Sequence, residues 1–308
     1  MARLKVLITG GSGLLALNWA CAIRERHEVV LATHQRTVDL RGTTSTPLQL
    51  EDAGALADEM QRLSPDVVVH TAGMTSVDDC ERNPELAHHI NADLATNVAQ
   101  AAEVSGARLI HISTDHLFAG TRSLYTEDAV PEPLNVYARS KLHAETRVAQ
   151  ASPHALIVRT NFFGWGHRYR RSFSDWLYYE LLAGRELTMF DDVFVTPILA
   201  DALALSCHRL LELGASGVFN VVGDERLSKY DFGAALAEVY GFPKALLRRG
   251  KIAASQLSAR RPPDMSLNNG KARAHLGTSL GTIADHIRTL QQQDRAGRRR
   301  ELLAAIME

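Results

Sequence analysis

The chain has 308 residues, of which 45% are hydrophobic and 22% charged, and its formal net charge is −1. This length allows one large core, or one core with a smaller lobe. The balanced charge gives no field that would attract nucleic acid or an anionic membrane, and no apolar run approaches the ~20 residues of a membrane span. The 3 cysteines lack metal-like spacing, so we expect reduced thiols, a cytoplasmic protein and no metal site.

Short β-branched runs alternate with helical stretches over the first half of the chain. The predicted strands cover residues 4–9, 28–32, 65–70, 108–113 and 154–159. The predicted helices cover about 14–26 and 84–104, and a third starts near 135. Near-continuous apolar strands between helices are typical of a parallel sheet that is covered on both faces. We therefore predict an α/β fold with a Rossmann-like, doubly wound parallel sheet.

The alternation weakens after residue 161. Helices are predicted at 176–182 and about 199–213, a strand at 218–222, and mainly helix from 228 onward. The basic run at 298–300 predicts a solvated helix face. This pattern indicates a sheet domain of residues 1–164 plus about 192–223. It also indicates a smaller, discontinuous C-terminal lobe of about 165–191 plus 224–308.

A glycine-rich turn at residues 9–16 joins the first predicted strand to the first helix. Gly10 allows the tight turn, and Gly13 lets the backbone approach a pyrophosphate at the helix N-terminus. A strand before the turn and a helix after it are the context that a dinucleotide-binding turn requires. An ordinary strand–helix turn is the alternative. The expected cofactor contacts are Gly10, Ser12, Gly13, Leu14 and Leu15.

The end of the second predicted strand distinguishes NAD from NADP. An acid there binds the ribose 2′-hydroxyl of NAD, whereas arginine suits a 2′-phosphate. Residues 33–36 contain no acid and one guanidinium, that of Arg36. We predict NADPH, with NADH as the alternative; Arg36 could instead be an exposed loop residue. Ala72, Gly73 and Met74 follow the next strand and are expected along the cofactor, with a tight structural turn as the alternative.

Three residues near the middle of the chain predict a proton-transfer site. Tyr137 and Lys141 are four residues apart and share a helix face, where the cation favours the phenolate of a group with a free pKa of about 10. Thr114 follows a strand whose carboxyl end faces the same cleft. We expect Thr114 to hydrogen-bond a substrate carbonyl, Tyr137 to deliver a proton, and Lys141 to hold the nicotinamide ribose. A solvated helix face is the alternative for the tyrosine–lysine pair.

Several motifs occur in the order of one enzyme family. They are residues 9–16, 91–97, 112–120, 137–141, 158–161 and 261–271. Together they resemble the dTDP-4-dehydrorhamnose reductase family of extended short-chain dehydrogenases/reductases, and the similarity spans nearly the whole chain. The resemblance implies NADPH-dependent reduction of the 4-keto group of a nucleotide-linked 4-dehydro-6-deoxyhexose. Thr114, Tyr137 and Lys141 match the catalytic triad of that family.

The resemblance also implies a nucleotide sugar held between the sheet domain and the lobe. The expected substrate contacts are Thr75, Val77, Asp115, His116, Asn161, Phe162 and Arg261. Phe162 stands where the family often has tryptophan, so the hexose itself is not identified. Arg168, Arg170 and Arg171 could clamp a diphosphate, but a solvated cluster is favoured and Arg261 is the preferred anchor. The resemblance leaves open whether the protein forms a homodimer.

Other functions fit the same motifs. A 4,6-dehydratase of this superfamily resembles a Thr-Asp-Glu version of the strand end, whereas His116 stands here in place of the glutamate. An epimerase needs no net redox, and the triad alone does not exclude it. A non-catalytic, NADP-binding regulatory subunit resembling the beta subunit of methionine adenosyltransferase is an alternative of another class. The presence of both Tyr137 and Lys141 favours the reductase.

Overall fold

A computed structural model describes residues 3–254 and 258–306 of the chain. Its strands are β1 (Lys5–Thr9), β2 (Glu28–Thr33), β3 (Thr44–Pro47), β4 (Val67–His70), β5 (Arg108–Ile112), β6 (Leu156–Arg159), β7 (Phe162–Phe163), β8 (Leu187–Phe190), β9 (Phe194–Val195), β10 (Ile198–Leu199), β11 (Gly217–Asn220), β12 (Leu227–Ser228) and β13 (Leu247–Gly250). Its α-helices are α1 (Leu14–Ile23), α2 (Ala53–Leu63), α3 (Val77–Arg82), α4 (Pro84–His88), α5 (Leu94–Ser105), α6 (Val136–Ala151), α7 (Phe173–Leu182), α8 (Ala200–Glu212), α9 (Lys229–Tyr240), α10 (Gly270–Leu276), α11 (Ile283–Arg295) and α12 (Arg298–Ala304). A π-helical turn, His89–Asp93, separates α4 from α5.

The main sheet contains 7 strands in the order β11-β6-β5-β4-β1-β2-β3. All its neighbouring strands run parallel. The chain begins at β1, builds outward to β3, and then returns to build the other half from β4. This reversal beside β1 is the switch point of a doubly wound fold, where ligands bind beyond the carboxyl ends of the strands. The predicted Rossmann-like α/β fold is confirmed.

Alternate residues of the central strands enter two apolar cores, one on each face of the sheet. Val6 and Ile8 pack into the core that includes residues of α1 and α8. Leu7 points the other way, into the core that includes residues of α2, α5 and α6. Because both faces are buried, the strands read as continuous apolar runs rather than as alternating patterns. The edge strand β3 is mostly exposed and contains no large apolar residue, so no apolar run in the sequence predicts it.

A smaller region is built from two separate stretches of chain. Its short strands pair β7 with β10, β9 with β12, and β8 with β13. Between those stretches the chain forms α8 and returns to the main sheet as β11. The domain bounds drawn from the sequence stay a prediction. None of the helices in the described ranges is long and apolar enough to span a membrane.

The C-terminal helix α12 packs back against the start of the chain. Glu301 forms an ion pair with Arg24 at 2.6 Å, next to the end of α1. Arg298 pairs with Asp201 at 3.3 Å, and Arg299 pairs with an aspartate of α11 at 2.7 Å. The prediction of a solvated face is therefore wrong for Arg298 and Arg299, because both guanidinium groups have carboxylate partners in the folded chain.

Candidate active site

A cavity of about 640 Å³ lies along the carboxyl ends of the sheet strands. Residues that follow β1, β2, β4 and β5 line one wall, and residues 167 and 169–173 line another. Arg36, Lys141, Arg170 and Arg171 contribute to the lining, whereas no aspartate or glutamate does so within the described ranges. A cavity with several cations and no carboxylate suits a ligand that carries phosphate groups.

The glycine turn forms one end of this cavity. Gly10 has a φ of +68°, and a Cβ built on it would lie 2.8 Å from the backbone of Ala72 in the loop after β4. The N–H of Gly13 donates to the carbonyl of Gly10 at 2.7 Å, which closes the turn. Gly13 is also the N-cap of α1, and no side chain caps that helix. The N–H groups of the first helical turn are therefore available to a phosphate.

Arg36 follows β2 and reaches across the cavity. Its guanidinium lies 4.8 Å from the ring centroid of Tyr169, and both residues line the cavity. Arg36 therefore lines the cavity, and its contact with a ribose 2′-phosphate stays a prediction. The partner Tyr169 comes from a segment for which the sequence predicts no cofactor role.

Asn91, in the π-helical turn, fixes the loop after β4. Its side-chain oxygen accepts from the N–H of Met74 at 2.7 Å, and its amide donates to the carbonyl of Met74 at 3.0 Å and to Ser140 at 2.9 Å. Ala72 and Gly73 line the cavity, whereas Met74 does not. Asn91 therefore ties the predicted cofactor loop to α6. The motif at residues 91–97 points to this position, but its spacing does not reveal the contact.

Tyr137 lies in the first turn of α6, where it closes the inner end of the cavity. Asn135 caps this helix by accepting from the N–H of Ala138 at 2.9 Å. The tyrosine is only 9% exposed, and the nearby Thr114 hydroxyl lowers its pKa. The ring of His116 contacts the phenol ring edge-on, with centroids 5.6 Å apart. The fold thus brings Thr114 and Tyr137 together, as the sequence predicts.

Burial raises the pKa of Tyr137 to about 12, and the charge of Asp115 acts in the same direction. The Lys141 ammonium donates to the carbonyl of Ile112 at 2.7 Å and lies 3.5 Å from His111 Nε2. Burial also lowers the pKa of Lys141 to about 8. The expectation that Lys141 lowers the tyrosine pKa is therefore wrong for the protein without ligands, because desolvation of the phenolate outweighs the nearby cations.

Arg170 is the cation that does lower the pKa of Tyr137. Its guanidinium also donates to Thr75 Oγ1 at 2.8 Å, and both residues line the cavity. Arg168, Arg170 and Arg171 are exposed, as the predicted solvated cluster requires, but Arg170 and Arg171 also line the cavity. The basic and aromatic composition of residues 167–173 is the sequence signal that could have indicated a ligand-facing role.

The other predicted substrate residues differ in whether they line the cavity or are buried near the triad. Phe162 lines the cavity, and Val77 packs in the apolar cluster that contains Tyr137. Asn161 donates to Asp115 Oδ2 at 2.6 Å. Burial raises the pKa of Asp115 to about 7, against the effect of that hydrogen bond. Asp115 is thus a buried carboxyl beside the proton-transfer residues.

Arg261 is held by a carboxylate of its own. It forms an ion pair with Asp78 at 2.7 Å, and Ser258 and the N–H of Ala259 donate to the same carboxylate at 2.7 Å and 3.0 Å. Arg261, the largest influence, lowers the pKa of Asp78. These contacts join the start of α3 to the segment 258–261. Arg261 remains a predicted substrate contact, but its charge is already compensated.

Comparison with known proteins identifies one family model, RmlD substrate binding domain, that matches residues 4–295. A "Probable low-salt glycan biosynthesis reductase Agl14" of Haloferax volcanii is 30% identical over 92% of this chain and 96% of its own length. The "Methionine adenosyltransferase 2 subunit beta" of Xenopus tropicalis is 29% identical over 79% of this chain and 74% of its own length. A "dTDP-4-dehydrorhamnose reductase" of Sinorhizobium fredii is 28% identical over 93% and 96%.

Two solved structures show the same architecture. A hypothetical dTDP-4-dehydrorhamnose reductase from Sulfolobus tokodaii superimposes with a TM-score of 0.79 at 32% identity, over 91% of this chain and 97% of the other. The dTDP-4-dehydrorhamnose reductase of Bacillus anthracis, solved in complex with NADP, gives a TM-score of 0.83 at 22% identity, over 95% and 100%. At that lower identity the second similarity concerns the fold.

Proposed function

We propose a reductase function from the premise that the chain belongs to the RmlD substrate binding domain family. The proposed substrate is a 4-dehydro-6-deoxyhexose linked to a nucleotide, by preference dTDP. The reaction reduces the 4-keto group of this sugar. NADPH supplies the hydride. The observation that carries this proposal is that Tyr137 and Lys141 line the same cation-lined cavity as the glycine turn, with Thr114 close enough to Tyr137 to lower its pKa.

The residues present fit NADPH. The uncapped N-terminus of α1 and the approach of Gly10 to Ala72 leave room for a pyrophosphate on backbone N–H groups. Arg36 supplies the positive charge that a 2′-phosphate requires, and no carboxylate competes for the ribose hydroxyl among the described lining residues. The solved Bacillus anthracis structure holds NADP, which supports the same choice here. In this proposal residues 1–164 and about 192–223 hold the cofactor.

Three side chains have separate roles in the proposed reaction. Because its pKa is raised to about 12, Tyr137 keeps its proton at neutral pH and can donate it to the oxygen that becomes the 4-hydroxyl. Thr114, whose hydroxyl is close enough to lower the Tyr137 pKa, orients the carbonyl beside the phenol. Lys141 is buried at the same helix face and holds the nicotinamide ribose. The sugar nucleotide lies between the sheet domain and the lobe.

The test is NADPH oxidation against a panel of dTDP-, UDP- and GDP-linked 4-keto-6-deoxyhexoses. At least one sugar should be reduced, and Tyr137→Phe should lower kcat by about 10²–10⁴-fold, the usual contribution of a positioned general acid. NADPH affinity should change little. Tyr125→Phe is the matched control, since Tyr125 is buried but does not line the cavity. Full activity of Tyr137→Phe would refute the assignment.

A regulatory binding subunit is the second candidate. The similarity to the Xenopus tropicalis methionine adenosyltransferase 2 subunit beta, over 79% of this chain, favours it. This function would need the fold and the dinucleotide site but not proton transfer. NADPH binding without turnover of any sugar in the panel would favour this candidate over the reductase.

A further inference from the structure

Lys229 is a lobe residue whose ammonium lies against Phe173, a residue of the cavity wall. It is the first residue of α9, whose start is fixed by a capping box between Ser228 and Asp231. Its ammonium lies 5.0 Å from the ring centroid of Phe173, and Phe173 lines the cavity. Within the described part of the chain, this ammonium makes neither a hydrogen bond nor an ion pair.

Burial of a cation without a compensating group is unfavourable. Lys229 is partly buried, and burial lowers its pKa. The charged groups that act on it are Asp115, which favours the ammonium, and Arg261, which opposes it. Asp115 lies beyond ion-pair distance, and burial keeps its own pKa raised to about 7. The local environment therefore leaves positive charge uncompensated.

Lys229 is close enough to the proton-transfer residues to act on their neighbours electrostatically. Its charge lowers the pKa of both Asp115 and His116, and the His116 ring packs edge-on against Tyr137. A hexose whose C4 faces Tyr137 directs C1, and the diphosphate attached to it, away from the phenol. The Lys229 ammonium, which is close enough to act on Asp115 and His116, is well placed for that diphosphate.

Three of the neighbouring cations already have hydrogen-bonding or ion-pair partners. Arg261 is paired with Asp78 at 2.7 Å, Lys141 donates to the carbonyl of Ile112, and Arg170 donates to Thr75. From these contacts we infer that Lys229 binds the diphosphate of the nucleotide-sugar substrate. This inference rests on the proposed function, and it moves the anchoring role from Arg261 to a residue that sequence motifs do not indicate.

The test measures binding rather than turnover. Thymidine diphosphate and uridine diphosphate are titrated calorimetrically into the full-length protein, with and without saturating NADP. Lys229→Met should weaken binding of the nucleoside diphosphate by about 10- to 100-fold, the range expected for a lost hydrogen bond to a charged group. Lys229→Arg should retain most of it. Lys244→Met is the matched charge control, since Lys244 is exposed and paired with Glu238.

The outcomes separate this inference from the proposed function. The inference is supported if, of the three variants, only Lys229→Met binds the nucleoside diphosphate more weakly and it retains its NADP affinity and melting temperature. Unchanged diphosphate binding by Lys229→Met overturns it and leaves the reductase proposal intact. Equal loss of NADP binding also overturns it, because a general disturbance of the lobe would then explain the effect. If the unmodified protein binds no nucleoside diphosphate, both the inference and the proposed substrate class are wrong.

Discussion

Gly10→Ala tests whether close packing of the glycine turn holds the dinucleotide site together. Gly10 adopts a φ of +68°, and a Cβ there would meet the backbone N and Cα of Ala72 at 2.8 Å. The left-handed conformation costs a non-glycine residue about 1–2 kcal/mol. Overlap with backbone adds about 1–3 kcal/mol, since the turn and the loop after β4 are both fixed by neighbouring sheet strands. We expect a destabilisation of about 2–5 kcal/mol.

The assay is thermal unfolding followed by NADPH titration. A typical unfolding entropy per residue makes each kcal/mol worth about 1.5 °C for a chain of this length, so the melting temperature should fall by about 3–8 °C. NADPH affinity should fall at least about tenfold, because the loop that carries Ala72 must shift away from the turn. Both effects have the same structural cause.

Gly106→Ala is the matched control for this substitution. Gly106 ends α5 with a φ of +73°, and a Cβ there would meet nothing within 4 Å. It should therefore show only the conformational cost of about 1–2 kcal/mol and unchanged NADPH affinity. Equal destabilisation by the two substitutions, or wild-type NADPH affinity in Gly10→Ala, would refute the argument from close approach.

Two further predictions concern charge. Arg36→Ala should weaken NADPH binding by about 10- to 100-fold and change NADH binding little, because only NADPH carries the 2′-phosphate. Fluorescence titration measures both affinities. An equal loss of affinity for the two cofactors would refute this role of Arg36. The Asp115 pKa is raised to about 7 in the folded protein, so the folded state binds the extra proton between pH 4 and 7. Its contribution to stability should fall as the pH rises through that window, by up to a few kcal/mol. Asp115→Asn should remove this slope in unfolding curves measured across the window, and an unchanged slope would contradict the assignment.

The sequence was sufficient for features whose physical cause is local. Apolar runs between helical stretches predicted the parallel sheet, because strands buried on both faces need continuous apolar side chains. Glycine at position 10 predicted the cofactor turn, since its backbone requires positive φ. Four-residue spacing placed Tyr137 and Lys141 on one face of α6. The polar edge strand β3 has no comparable local signal.

Tertiary structure alone decided which charges face the site and which are compensated. Arg170 reaches Thr75 across the cleft, although the two are far apart in sequence. Arg261 forms an ion pair with Asp78, while the Lys229 ammonium makes no hydrogen bond or ion pair with any residue that the structure describes. Burial, not the neighbouring lysine, sets the direction of the Tyr137 pKa. Hydrophobic periodicity and turn residues depend on residues that are close in the sequence. The burial of charged groups and the pairing of charges depend instead on how the lobe packs against the sheet.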